Sequence, residues 1–458
     1  MLKFMGGAAA MTALAACAAP IAPAAPGAEG GAAPAADGGT MLVVGRREYF
    51  KEMEDLFAQA VNDWAAGKNV KVEISTVASE AFEDFVAKTL AAVEAGNPPD
   101  FIYHTRLVQQ LYFYDALEAV SDTATQAIEL YGEPSYGHTL NNFIDGEWWA
   151  IPYINGGSGE FVRRSVFEKA GIDLDAGMAT YDQRRDAALA ASDPAAQMYG
   201  WGRTVNRSGD GAGLVQAILH NWGSQITNAE MTEITFNSPE TVAAIAWLTD
   251  IYTSDTYKPM LPPGVEAWTD SNNNEAYLAG NIAYTGNAAS VYAKAKADGN
   301  PVFEDTVVLD IATGPYGEKF IGAGGTGQMH VPRGAKQVAL AKDLAMYLLD
   351  PEIFIPISLI SAGLFLPAYA KYNEMEAVVQ AYEADANLKR MAEQQLGDYP
   401  GLSWPAPPSP FFDAISAQSI LTDILAETIT QGVSPEQAVA NATDRIAQLA
   451  EEMGALGG

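Results

Sequence analysis

The sequence predicts an α/β fold split into two globular units. Two observations carry this: the chain is 458 residues long, more than one hydrophobic core usually fills, and apolar periods of two and 3.6 alternate along its folded part. A 48% hydrophobic content supplies a normal core.

In order, "MLVV" from Met41 reads as a short buried strand. A helix follows, with Met53, Leu56, Ala60 and Trp64 on one face. "VKVEIST" alternates Val70, Val72 and Ile74 inward with Lys71, Glu73 and Ser75 outward, as a half-buried strand does. A second helix from about Ser79 to Ala95 stops at Gly96, and "PPDFIYH" returns as a strand reaching His104. Strands joined this way through helices pair in parallel. Further on, Asp193-Pro194, Ser238-Pro239, Asp350-Pro351 and Ser434-Pro435 each place a capping side chain before a proline suited to the first helical position. The helices after Ser238 and Ser434 carry apolar stripes, Val242, Ile245, Leu248 and Ile251 in one, Val439, Ala442, Ile446 and Leu449 in the other.

The formal charge of −31, from 57 acidic against 26 basic residues, repels a phosphate backbone and excludes nucleic acid as a partner. It reads as a solvated acidic surface. The single cysteine, Cys17, rules out an intrachain disulfide. It ends the segment "MLKFMGGAAAMTALAAC", in which Lys3 precedes an uncharged apolar stretch too short to span a membrane. Leu14-Ala15-Ala16-Cys17 resembles a bacterial lipobox, which implies a signal peptide over 1–17 and lipidation of Cys17. Residues 18–39 are mostly Ala, Pro and Gly and read as a disordered tether with a reach of about 70 to 80 Å. The expected location is export, with membrane attachment through the lipid.

The four histidines are scattered, and no zinc-protease, nucleophile-elbow or P-loop pattern occurs. "SGDGAG" from Ser208 lacks a P-loop lysine and reads as a plain loop. No catalytic residue, metal or cofactor is predicted. Trp201, Trp222, Trp268 and Trp404 each lie beside Gly, Pro or Asn, where a flat ring can cover the apolar face of a sugar while amides bond its hydroxyls. In "WTDSNNNEAYLAGNIAYTGN", Asn272, Asn273 or Asn274 is placed to cap a helix, and Asn287 to face a crevice at a strand end. These residues favour a polar, uncharged ligand. A cationic or zwitterionic solute and a secreted glycoside hydrolase are the alternatives.

Several blocks, in order from Met41 to the C-terminus, resemble the bacterial extracellular solute-binding proteins of the sugar-binding, maltose-binding-protein-like group that serve ABC importers. They are "AGNPPDFIYH", "DALEAVSD", "DGEWWAIPY", "RRSVFEKAGID", "ITFNSPETVAAIAWLTDIY", "NNNEAYLAGNIAYTGN", "FIGAGGTGQMHVPRGAK" and "AKDLAMYLLDPE". The resemblance implies a periplasmic-binding-protein type II fold with two discontinuous lobes and a hinge, lobe 1 from 40–152 and 286–341, lobe 2 from 153–285 and 342–458. It implies a monomer that holds a carbohydrate between its lobes and hands it to permease subunits. His104 falls at a sugar-stacking position, Asn287 in a ligand loop, and Phe411 and Phe412 near a C-terminal aromatic position, with Trp404 upstream. His104, Arg106, Tyr153, Asn155, Asn273, Asn287, Gly325 and Thr326 join the four tryptophans as expected ligand contacts. "GNAAS" lacks the tryptophan that maltose-binding relatives carry there, so maltodextrin is not implied.

Overall fold

The computed structural model describes residues 40–47, 50–77, 82–105, 108–317, 325–396 and 401–456. The predicted signal segment, Cys17, the tether and Arg106 lie outside the described residues, as does the side chain of His104. Among the described residues, no helix is long and apolar enough to cross a membrane.

The strands are β1 (Thr40–Arg46), β2 (Lys71–Val77), β3 (Phe101–Thr105), β4 (Phe143–Ile144), β5 (Glu147–Trp148), β6 (Ile151–Gly156), β7 (Ser158–Arg163), β8 (Tyr284–Ala288), β9 (Thr306–Leu309), β10 (Thr326–His330) and β11 (Phe365–Pro367). They form a six-stranded sheet in the order β11-β6-β10-β3-β1-β2, a three-stranded sheet β8-β7-β9 and the small pair β4-β5. β1 pairs in parallel with β2 and β3, as the strand–helix–strand pattern requires, and the remaining pairs are antiparallel. The first crossover, helix Lys51–Lys68, buries Met53, Phe57, Ala60 and Trp64 and ends at Asn69 in the left-handed conformation. β2 is a sheet edge, so Val72 and Ile74 are only half-buried.

Each sheet gathers its own core. The larger one packs Met41, Phe57, Trp64, Phe101, Tyr153, Leu344, Phe354 and Tyr372 together. The smaller one lies against a helical mass built on Trp201, Leu214, Ile245, Phe412, Ile424 and Ile446. These pairings correct the predicted lobe boundaries. β8 and β9 pair with β7, which puts residues 286–312 in the second lobe rather than the first. The end of helix Val338–Leu348 from residue 342 on, helix Pro351–Ile360 and β11 pack with the first lobe rather than the second. Tyr153 is likewise a first-lobe core residue, so the first crossing falls at Gly156–Gly157, four residues beyond the expected boundary at Pro152. The sheet a strand joins is decided by non-local pairing, to which local composition is blind.

All four predicted Asp/Ser-Pro caps form. Asp193, Ser238, Asp350 and Ser434 accept from Ala196, Thr241, Glu352 and Gln437, although Asp193 opens only a single 3₁₀ turn. Asn387 shields the free edge of β9: its Oδ1 accepts from the Val308 N–H at 2.8 Å and its Nδ2 donates to the Thr306 carbonyl at 2.8 Å.

Candidate functional site

The stretch from Trp268 to Asn287 folds around the start of helix Gly209–Trp222. Asn272 does not cap the helix Asn272–Leu278 from outside; it is that helix's first residue, and its Oδ1 accepts from Thr269 N and Oγ1 at 2.8 and 3.0 Å. Asn273 and Asn274 are not caps either. Asn273 Nδ2 donates to Asp210 Oδ2 at 2.7 Å, its Oδ1 accepts from the Asn274 N–H at 2.8 Å, and Asn274 Oδ1 accepts from Asn287 Nδ2 at 2.5 Å. Donation to a carboxylate and acceptance from a backbone N–H set the orientation of the Asn273 amide, and Asn287 at the end of β8 turns its Nδ2 to Asn274 Oδ1.

"SGDGAG" is the opening of a helix rather than a plain loop. Ser208 Oγ accepts from Gly211 N, and Asp270 accepts from the N–H groups of Gly209 and Asp210 at 3.2 and 2.9 Å. These helix N–H groups are already partnered by a carboxylate, which leaves little for a ligand phosphate. Asn206 ties the same turn to Trp268, donating to the Trp268 carbonyl at 2.8 Å and to the Glu266 carbonyl at 2.9 Å.

Beside this chain lies a charged cluster. Glu160 on β7 faces Arg203 Nη1 at 2.9 Å and Arg184 Nη1 at 3.7 Å, and it accepts from the Tyr284 hydroxyl. Arg184 also donates to the Met178 carbonyl at 2.9 Å and to that of Asp310. Gly286 is needed here: a Cβ on it would meet Arg203 Nη2 and Glu160 Oε1 at 2.5 and 2.8 Å. Burial pushes the Asp210 carboxyl up to about 6, and Asp270 adds to this, while the Asn273 hydrogen bond and Arg203 oppose it. Burial alone raises Asp413 to about 6. It holds His138 and His330 down at about 3 and His220 at about 4, so these three stay neutral at ordinary pH.

The structure separates the expected contacts. Trp201 is fully buried, with Nε1 donating to Tyr252 Oη at 3.1 Å and its ring edge-on to Tyr284 and Trp247. Trp222 packs against Tyr181 and Trp247. Both are core residues, not ligand surfaces. Their glycine neighbours have packing reasons: a Cβ on Gly200 would strike the Ala188 carbonyl, one on Gly202 would strike Ile282, and Gly223 ends the helix in a left-handed turn. Phe411 and Phe412 belong to the same core. Tyr153 stands edge-on to Phe354 in the first core. Asn155 is occupied within the protein, accepting from Ser135 Oγ at 2.7 Å and donating to the Pro367 carbonyl at 2.9 Å.

Trp268 and Trp404 remain half-buried, the latter edge-on to His220 and Tyr316. Gly325 and Thr326 are half-buried where the chain enters β10; the Gly325 carbonyl accepts from Gly156 N at 2.5 Å, and Thr326 Oγ1 accepts from Gln328 Nε2 at 3.2 Å. The wall thus joins Trp268, Asn273 and Asn287, which the sequence pointed to, and Asn274, which it offered only as a helix cap, with Asp210, Arg203 and Glu160, which it did not. Arg203 and Glu160 were visible only as charges set into the apolar runs "YGWGRTV" and "GEFV".

A sequence model described as bacterial extracellular solute-binding protein matches residues 49–353. No curated protein matches the chain. Its fold is similar to that of an ABC transporter solute-binding protein from Thermotoga lettingae bound with α-D-tagatose, at 16% identity and a TM-score of 0.71, covering 90% of this chain and 98% of that one. It is similar to maltose-bound MalE3 of T. maritima at 17% identity and 0.71, covering 90% and 99%. A solute-binding protein of Agrobacterium radiobacter K84 in complex with ribitol matches at 15% identity and 0.72, again covering 90% and 99%.

Proposed function

The chain belongs to the bacterial extracellular solute-binding protein family, and from that premise we propose that it captures a neutral carbohydrate or polyol between its lobes and delivers it, unaltered, to a membrane permease. The family and its structural neighbours are transport-associated binding proteins rather than enzymes, and the fold is the two-lobed periplasmic-binding-protein type II fold.

The observation that supports a carbohydrate best is the amide chain Asn273–Asn274–Asn287 anchored on Asp210. It ends in side-chain carbonyl and carboxylate oxygens suited to hydroxyl donors, and Asn206 ties the half-buried Trp268 to the same helix start. Trp404, Gly325 and Thr326 complete the proposed contacts, and His104 and Arg106 are carried as further contacts on the family resemblance. Tagatose, maltose and ribitol in the neighbouring structures are all uncharged and polyhydroxylated, which agrees with this chemistry. In the same proposal, Cys17 is lipidated, residues 18–39 tether the monomer to a membrane, and the lobes face the periplasm or cell exterior.

Native mass spectrometry of freshly purified protein tests the reading. The expected adduct has the mass of a neutral sugar or alditol and is released intact on denaturation. An adduct bearing an amine would favour the cationic-solute alternative, and a cleaved oligosaccharide would favour a hydrolase.

A further inference from the structure

Asp210 lies in the first turn of a helix that runs from Gly209 to Trp222, and it is half-buried. Its backbone N–H is held by Asp270 and its Oδ2 by Asn273, while its Oδ1 has no partner among the described residues. A second, independent feature lies at the other end of the amide chain. Asn287 is 8% exposed and spends its Nδ2 on Asn274, and its Oδ1 likewise has no partner among the described residues. Arg203, also 8% exposed, uses Nη1 on Glu160 and Tyr284 and leaves Nη2 beside Gly286, next to Asn287. Two acceptors and one donor edge on this side of the wall are therefore left over.

Resting on the carbohydrate reading above, we propose that Asp210 is the specificity-determining acceptor of this site: its ionised Oδ1 takes a hydrogen bond from a ligand hydroxyl, and binding weakens when the carboxyl is protonated. The groups facing it are few. Asp270 approaches from the loop before helix Asn272–Leu278, and Arg203 from the extended segment beside β8, with its charge balanced by Glu160. On helix Ile420–Thr430, Asp423 is occupied by Arg207 and Arg445. Within the first two turns of its own helix Asp210 is the sole titratable group.

The sign follows from the free carboxyl standing at about 6, above the usual carboxylate range. A hydroxyl donor favours the ionised form, so the bound state holds the carboxyl lower than the free state does. Affinity is then flat above about pH 7, roughly halved at pH 6 and down about tenfold by pH 5.

The test is a thermal-shift screen of neutral mono-, di- and oligosaccharides and alditols, with maltose, D-tagatose and ribitol included, followed by calorimetry of each hit at pH 7.5 and 5.0. Wild type, Asp210→Asn and, as a control for the other raised carboxyl, Asp413→Asn are compared, with circular dichroism at both pH values to verify folding. Wild type is expected to lose about tenfold in affinity between the two pH values. Asp210→Asn is expected to bind roughly 10- to 100-fold more weakly at pH 7.5, with equal affinity at both pH values. Asp413→Asn keeps the wild-type pH response. Wild-type affinity that does not change with pH, or a pH response that survives in Asp210→Asn, overturns the role of Asp210 and leaves the carbohydrate reading standing. A folded wild-type protein that binds nothing in the screen overturns both.

Discussion

Glu160→Ala is expected to destabilise the folded chain by about 3–5 kcal/mol, read as a fall in the denaturant midpoint followed by circular dichroism. The reason is the removal of a shared partner. Arg184 and Arg203 both direct Nη1 at the Glu160 carboxylate, and both are buried. Deleting the carboxylate leaves two guanidinium charges side by side, out of water and uncompensated, and also takes the acceptor from the Tyr284 hydroxyl. Glu160→Gln keeps an acceptor and the shape and is expected to cost less. An alanine variant with an unchanged midpoint would show that the cluster does not hold the wall together.

Gly157→Ala is expected to weaken solute binding at least about 100-fold, equivalent to about 2.7 kcal/mol, while the chain still folds. Gly157 sits where β6 gives way to β7, the point at which the chain passes from one lobe to the other. Its N–H donates to the Leu364 carbonyl at 3.3 Å and its carbonyl accepts from Ala289 N at 2.8 Å. A Cβ there would overlap the Gly363 carbonyl oxygen, which is backbone and has no rotamer with which to retreat. Relief requires the crossing strand and the 361–364 turn to separate, which moves the walls of the site relative to each other. Gly67→Ala is the control: its Cβ meets nothing within 4 Å, and it sits inside the helix Lys51–Lys68, so binding is expected to be unchanged and stability slightly higher. Equal affinity in Gly157→Ala and wild type, measured by calorimetry, would remove the hinge role assigned to this residue.

What was legible in the sequence was local. The strand–helix–strand opening from Met41 to Tyr103 announces itself through side-chain period, and the Ser-Pro and Asp-Pro helix starts through chemistry confined to four residues. What depended on distant partners was not. β8 and β10 look alike as short runs, yet one joins β7 and the other β3 and β6. Glycine beside tryptophan read as an open loop, whereas at Gly200 and Gly202 it marks backbone pressed against a core. Asn155 had the composition of a ligand contact and is instead used up by Ser135 and Pro367. Asp210 was one carboxylate among 57 acidic residues, and only the fold brings it to Asn273 across 63 positions.

Small-angle X-ray scattering of the protein, first stripped of solute and then saturated with the sugar that calorimetry identifies, tests most directly whether the lobes close over an unaltered ligand. A smaller radius of gyration in the saturated sample, with the sugar recovered chemically intact, is the predicted result. Superimposable profiles at proven saturation would contradict it.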